Sequence, residues 1–179
     1  MEENQKIPMR SQVKKEDTWA IEDMYATVED WEKDFVAAKK VAEEAAEYAG
    51  RLGESAQALY DWSALTEKLD CMLSEIYGYA SRVKDQDTAD AAGQTLSARA
   101  MGLYVECSGL ISFADPEILS IPEEKLEAFY AEKPELLKYR RSINEVRRCK
   151  DHILSPELEK ILADAGEMFR APAPSPLHL

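Results

Sequence analysis

The sequence predicts an all-α fold, an elongated bundle of long antiparallel helices followed by shorter ones. Three observations carry this. The inventory is helix-forming, with twenty-four alanines, twenty-three glutamates and seventeen leucines against seven glycines in 179 residues. Apolar residues recur at spacings of three and four over long stretches, the period of a helix with one buried stripe. One such stretch, from about Ser55 to Lys84, would be roughly 45 Å long at 1.5 Å per residue, longer than a compact domain of this size is wide.

Residues 1–26 lack sustained periodicity and carry Pro8. They read as an N-terminal strap whose apolar groups, Ile7, Trp19, Ile21, Met24 and Tyr25, dock on another surface. The first helix follows, with Thr27 as N-cap and Glu29 and Asp30 in the first turn, where acidic groups meet the positive end of the helix dipole. Its stripe is Trp31, Phe35, Ala38, Ala42, Ala45 and Ala49, and Gly50 and Gly53 end it. Ser55 caps the long second helix, whose stripe begins Leu59, Trp62, Leu65, Leu69 and ends Ile76, Ala80, Val83. Asp85-Gln86-Asp87-Thr88 turns the chain, Thr88 capping a third helix with Leu96, Ala100, Leu103, Cys107, Leu110 and Ile111 on its inner face. So short a connection makes that helix return antiparallel.

Pro116 breaks the pattern. A shorter helix starts at Ile121-Pro122-Glu123-Glu124 with proline at its first position, and Pro134 starts another carrying Leu136, Leu137, Ile143 and Val146. Ser155-Pro156-Glu157 combines cap, first-position proline and acidic first turn, and opens a last helix through Leu158, Ile161, Leu162 and Ala165. Residues 27–170 therefore form one helical domain. Residues 171–179, with Pro172, Pro174 and Pro176, form a Pro-rich, disordered tail.

With 45% hydrophobic and 32% charged residues the chain has the apolar surface a packed core requires. Its balance is acidic, 22 Lys and Arg against 35 Asp and Glu, a net charge of −13. Such a field disfavours nucleic acid and anionic membrane as partners, and the basic pairs Arg140-Arg141 and Arg147-Arg148 are too short to reverse it. No apolar run approaches the roughly 20 residues a membrane span needs. The acidic, polar start and the odd cysteine count point to a cytoplasmic protein without a disulfide framework.

Chemical motifs are few. HExxH, GxSxG, P-loop, GxGxxG and EF-hand signatures do not occur in the sequence. Asp85, Asp87 and Asp90 lack the glycine and terminal glutamate of a calcium loop and read as a helix-capping turn. The five candidate zinc ligands, Cys71, Cys107, Cys149, His152 and His178, show no CxxC or HxxxH pairing, so a self-contained zinc site is not expected, and the expectation for this chain is no metal, cofactor or catalytic residue. His152 reads as a loop residue near a helix end, His178 as part of the tail, and the three cysteines as small apolar core residues. Tyr60, Tyr77, Tyr79 and Tyr104 with Arg82 and Arg99 read mainly as core-edge packing, with a peptide-holding groove as the functional alternative. Glu43, Glu44 and Glu47 form a solvated face.

Several short segments together resemble a known family. Arg10-Ser11-Gln12-Val13, Asp17-Thr18-Trp19, Glu22-Asp23-Met24-Tyr25 and Trp31-Glu32-Lys33 are similar to the opening of bacterial oligoendopeptidase F, a zinc metallopeptidase of the thimet oligopeptidase group. Leu52-Gly53-Glu54-Ser55, Tyr77-Gly78-Tyr79-Ala80, Asp85-Gln86-Asp87-Thr88, Pro116 to Pro122 and His152-Ile153-Leu154-Ser155 continue the resemblance in order, across residues 7 to about 173. It implies the family's N-terminal helical domain, part of the wall of a channel that admits oligopeptides. In the family, zinc and the HExxH helix belong to a later catalytic domain, the partner this domain implies, and no position here matches them. Ala173 to Leu179 depart from the family pattern. The expectation is a truncated product, inactive alone. The alternatives are a stand-alone helical module that binds peptide or a partner helix, and a remnant that self-associates through an exposed apolar face.

Overall fold

The structure, a computed structural model, describes residues 12–148. Among these residues there are α-helices and 3-10 turns and no strand, so the chain is all-α as its sequence predicts. The helices are α1 (Val28–Ala46), α2 (Ala56–Gln86), α3 (Ala91–Leu110), α4 (Ala114–Ser120), α5 (Glu123–Glu132) and α6 (Arg140–Arg148). A 3-10 stretch, Pro134–Tyr139, leads into α6. Ile7, Cys149, both histidines, the helix expected after Ser155 and the Pro-rich tail lie outside the described residues.

The lead-in to α1 docks through fewer groups than its composition suggests. Tyr25 is buried and stacks edge-on against Tyr79 of α2 with ring centroids 5.2 Å apart, while its hydroxyl donates to Asp34 at 2.9 Å. Trp19 remains 61% exposed. Thr27 caps α1 as expected, its hydroxyl oxygen accepting from Asp30 N–H at 3.2 Å. Trp31 is fully buried, and its indole N–H finds the Ile76 carbonyl of α2 at 3.0 Å, which satisfies the one polar atom of the largest core side chain.

α1 ends at Ala46, a turn earlier than the glycines suggest, and Ala49 is exposed. Gly50 then takes φ 81°, a left-handed conformation that L side chains resist. The reversal is held from a distance. Glu117 of α4 accepts from the N–H of Gly50 and, at 3.2 Å, from that of Leu52.

α2 starts where Ser55 caps Ala58 N–H at 3.1 Å and runs for 31 residues, roughly 46 Å. The cap of α3 is Asp90 and not Thr88. The Asp90 carboxylate accepts from Ala92 and Gly93 N–H at 3.2 and 3.0 Å, two donors where a threonine hydroxyl accepts one. Asp87 accepts from Ala89 N–H at 3.0 Å, and the Thr88 carbonyl takes the Gln94 side chain. The aspartate cluster is thus a capping turn.

Packing fixes the directions. Gly93 in the first turn of α3 lies so near the last turn of α2 that a Cβ would stand 3.1 Å from Lys84 Cα, and Ile111 at the far end meets the Trp62 region of α2. The two helices are therefore antiparallel. α1 and α3 run parallel, since Glu32 pairs with Arg99 and Lys39 with Glu106, each across 67 positions.

The buried side chains form two clusters, and α2 belongs to both. One joins α1, the C-terminal half of α2 and α3 around Trp31, Leu69, Ile76 and Leu103. The other joins the start of α2 to α4, α5 and α6 around Leu59, Ile118, Leu126 and Leu136. Pro116 does not break the chain here. It occupies the third residue of α4, where the first-turn N–H has no intrahelical partner to lose. Pro122 is the residue before α5, one position earlier than its expected first-turn place.

Candidate functional site

The tyrosines and arginines that could have lined one groove are not brought together. Tyr79 is buried against Tyr25, whereas Tyr60 packs beside Tyr139 in the other cluster, with the Lys133 ammonium 4.4 Å from its ring. Arg82 folds back onto the Gly78 carbonyl at 2.8 Å. Arg99 is committed to Glu32 and lies over Trp31 and Phe35, 5.2 and 4.9 Å from their ring centroids. The guanidinium holds the Glu32 carboxyl below the usual carboxylate range. Tyr60, Tyr79, Arg82 and Arg99 therefore act as packing and pairing residues, whereas Tyr77 and Tyr104 are exposed, contrary to their core-edge reading. Cys107 is buried as expected, and burial pushes its thiol up. Cys71 is exposed, contrary to its apolar-core reading, because it lies two residues from both Leu69 and Leu73 and so on the side of α2 opposite the buried stripe.

A concave site does form where sequence reasoning placed none. A cleft of about 420 Å³ opens between α2, the α3–α4 junction and α6. Trp62, Ile111, Ile118, Ile143 and Val146 provide its apolar surface. The charged residues lining it are Glu67, Asp70 and Asp115, all acidic. Glu67 is engaged, accepting from Lys138 at 2.6 Å and from the Tyr139 hydroxyl at 2.8 Å, and these donors lower its pKa. Asp70 and Asp115 have no hydrogen-bond or ion-pair partner among the described residues. The cleft wall raises the Asp70 pKa by desolvation. Trp62 Nε1 is buried and has no acceptor. α6 is fixed beside the cleft by Arg147, which donates to the Ile121 carbonyl at 2.6 Å and to Glu123 at 2.7 Å.

A second exposed feature is the outer face of α3. The helix carries two charged residues, Arg99 and Glu106, and both reach inward to α1. Met101, Tyr104 and Val105 are 44, 51 and 62% exposed, in a chain that is one-third charged overall. Helices apolar on both faces are normally covered.

Among the described residues no three His, Cys, Asp or Glu side chains converge as metal ligands. No helix among them is long and apolar enough to cross a membrane.

The fold and site define a helical bundle with an acidic-edged cleft and one uncharged outer face. Comparison places it more narrowly. A sequence model of the family described as Oligopeptidase F matches residues 117–174. Oligopeptidase PepF of Bacillus subtilis is 39% identical over 163 residues, 91% of this chain and 24% of that protein. Group B oligopeptidase PepB of Streptococcus agalactiae is 34% identical over 90% of this chain and 27% of its own length. The crystal structure of oligoendopeptidase-F from Enterococcus faecium superposes with a TM-score of 0.68 at 28% identity, over 80% of this chain and 28% of that one. The chain carries an N-terminal domain of the oligoendopeptidase F kind, and it spans about a quarter of the length of the curated relatives it matches.

Proposed function

We propose that this chain is the helical, non-catalytic wall of a zinc-dependent oligopeptide-cleaving enzyme. In the whole enzyme it shapes the channel through which short peptides reach a catalytic domain supplied by other sequence. One observation carries the reading: similarity to oligopeptidases is continuous over 91% of this chain and only 24% of the Bacillus subtilis relative. A zinc peptidase site requires converging ligands and an activated water. The sequence contains no HExxH. On this reading the catalytic, cofactor and metal residues of the chain are none, and its setting is the cytoplasm.

The test is a chimera in which this chain replaces the matching quarter of the Bacillus subtilis protein. The chimera is expected to cleave a fluorogenic oligopeptide and to leave a folded protein substrate intact, while the chain alone with added zinc shows no turnover. Turnover by the chain alone that a chelator abolishes would sink the claim that it is non-catalytic. A chimera that digests the folded substrate would sink the channel role.

A further inference from the structure

We propose that residues 155–169 of this chain form a helix that packs antiparallel along the outer face of α3 and covers it. On that face Ala98, Met101, Gly102 and Val105 are all exposed, while the two charged residues of the helix reach the other way, to α1. Gly102 and Gly109 do not have positive φ, and a Cβ at either meets nothing within 4 Å. Each costs a helix about 1 kcal/mol relative to alanine, and no contact among the described residues accounts for that cost. Glycine there permits a second backbone to come close.

The occupant follows from where α6 ends and what the sequence carries next. Val146 in the last turn of α6 and Ile111 just past α3 line the same cleft, so the chain leaves α6 within a cleft's width of the end of α3. Residues 149–154 can span up to about 20 Å. The helix expected from Ser155-Pro156-Glu157 carries Leu158, Ile161, Leu162, Ala165 and Phe169 at spacings of three and four, with Glu159, Lys160 and Glu167 away from that stripe. Residues 155–169 would be roughly 22 Å long as a helix, within the roughly 30 Å of α3. An apolar stripe therefore begins near one end of an apolar face of matching length. A second copy fits less well, because it brings together two chains of charge −13, whereas a segment on a short linker docks at an effective concentration on the order of millimolar. The inference stands apart from the peptidase reading, since it uses this chain alone.

The test is amide hydrogen exchange on the full chain. Amides in residues 158–169 are expected to exchange at least about tenfold more slowly than in the isolated peptide 155–179. Val105→Glu puts a charge on the outer face at a position 62% exposed, and is expected to return those amides to the peptide's rate while α1 and α2 stay as protected as before. Gly102→Leu is expected to do the same, and because it raises the helix propensity of α3 it does not act by unfolding that helix. Ser142→Arg, at an exposed position lining the cleft, is expected to leave the protection intact. Peptide-like exchange in the unmodified chain, protection that survives both α3 variants, or protection that Ser142→Arg removes overturns the proposal. Protection that is lost on dilution while sedimentation shows a dimer also overturns it, since the face then belongs to a second copy.

Discussion

Glu117 holds together parts of the chain that sit 65 and 67 positions apart, and it does so with one carboxylate. Glu117→Ala leaves the Gly50 and Leu52 N–H groups without their acceptor, and the loss is expected to be about 1–2 kcal/mol. Urea unfolding checks this, with Glu117→Gln, which retains one acceptor oxygen, losing less. Gly50→Ala is expected to cost about 1 kcal/mol through the backbone alone, since a Cβ at that position meets nothing within 4 Å. Asp70 acts in the opposite sense. Its folded pKa is raised by desolvation, so its contribution is neutral below the unfolded value of about 3.9 and becomes unfavourable as pH rises through the folded pKa. Asp70→Asn is therefore expected to stabilise the protein near pH 7 by no more than about 0.5 kcal/mol, given the group's access to solvent, and to leave stability at pH 3 unchanged. Denaturant curves at the two pH values decide it.

At the scale of elements, local signals were legible and distant ones were not. Thr27 and Ser55 cap the helices they precede, and the stripes of α1, α2 and α3 face inward from Trp31 to Cys107, because caps and 3.6-residue periods are written within a single turn. Thr88 and Asp90 are both acceptable caps by composition, and only the carboxylate geometry separates them. The end of α1 was misplaced because its glycine serves a reversal gripped by Glu117, and nothing around Gly50 reports a partner in α4. The cleft was invisible for the same reason, since Trp62 and Asp70 of α2, Asp115 of α4 and Ile143 of α6 lie on three helices and their meeting depends on Arg147 pinning α6. Gly93 gives the sharpest element-level prediction. Its Cβ would stand 3.1 Å from the Lys84 main chain, so Gly93→Ala must push α3 from α2 and is expected to cost about 1–3 kcal/mol despite alanine's better helix propensity. Thermal unfolding measures the loss. Asp90→Ala, which touches only the cap, is expected to cost about 1 kcal/mol.

For the molecule as a whole, α2 is the decisive element because it alone among the helices contributes buried side chains to both clusters. Continuous helix through Ala64 is expected to couple the unfolding of the two clusters. Ala64→Pro removes a mid-helix hydrogen bond between them, is expected to cost about 3 kcal/mol, and should split a single calorimetric transition into two. The architecture was legible at this scale from one number, the length of the α2 pattern, whereas the outer face of α3 was not anticipated. Its stripe was read as one inner face, yet Met101 and Val105 make the opposite side nearly as apolar. The turn at Asp87–Asp90 carries a different implication from the rod it terminates. It is exposed and held by its own side chains, whereas the surfaces on either side of it bind each other through most of the first cluster. A chain cut after Thr88 therefore yields two pieces with complementary faces that can reassemble when mixed, while the same cut at Ala64 yields pieces that each hold half of a rod. The capping turn is the natural place to divide this protein for fragment complementation.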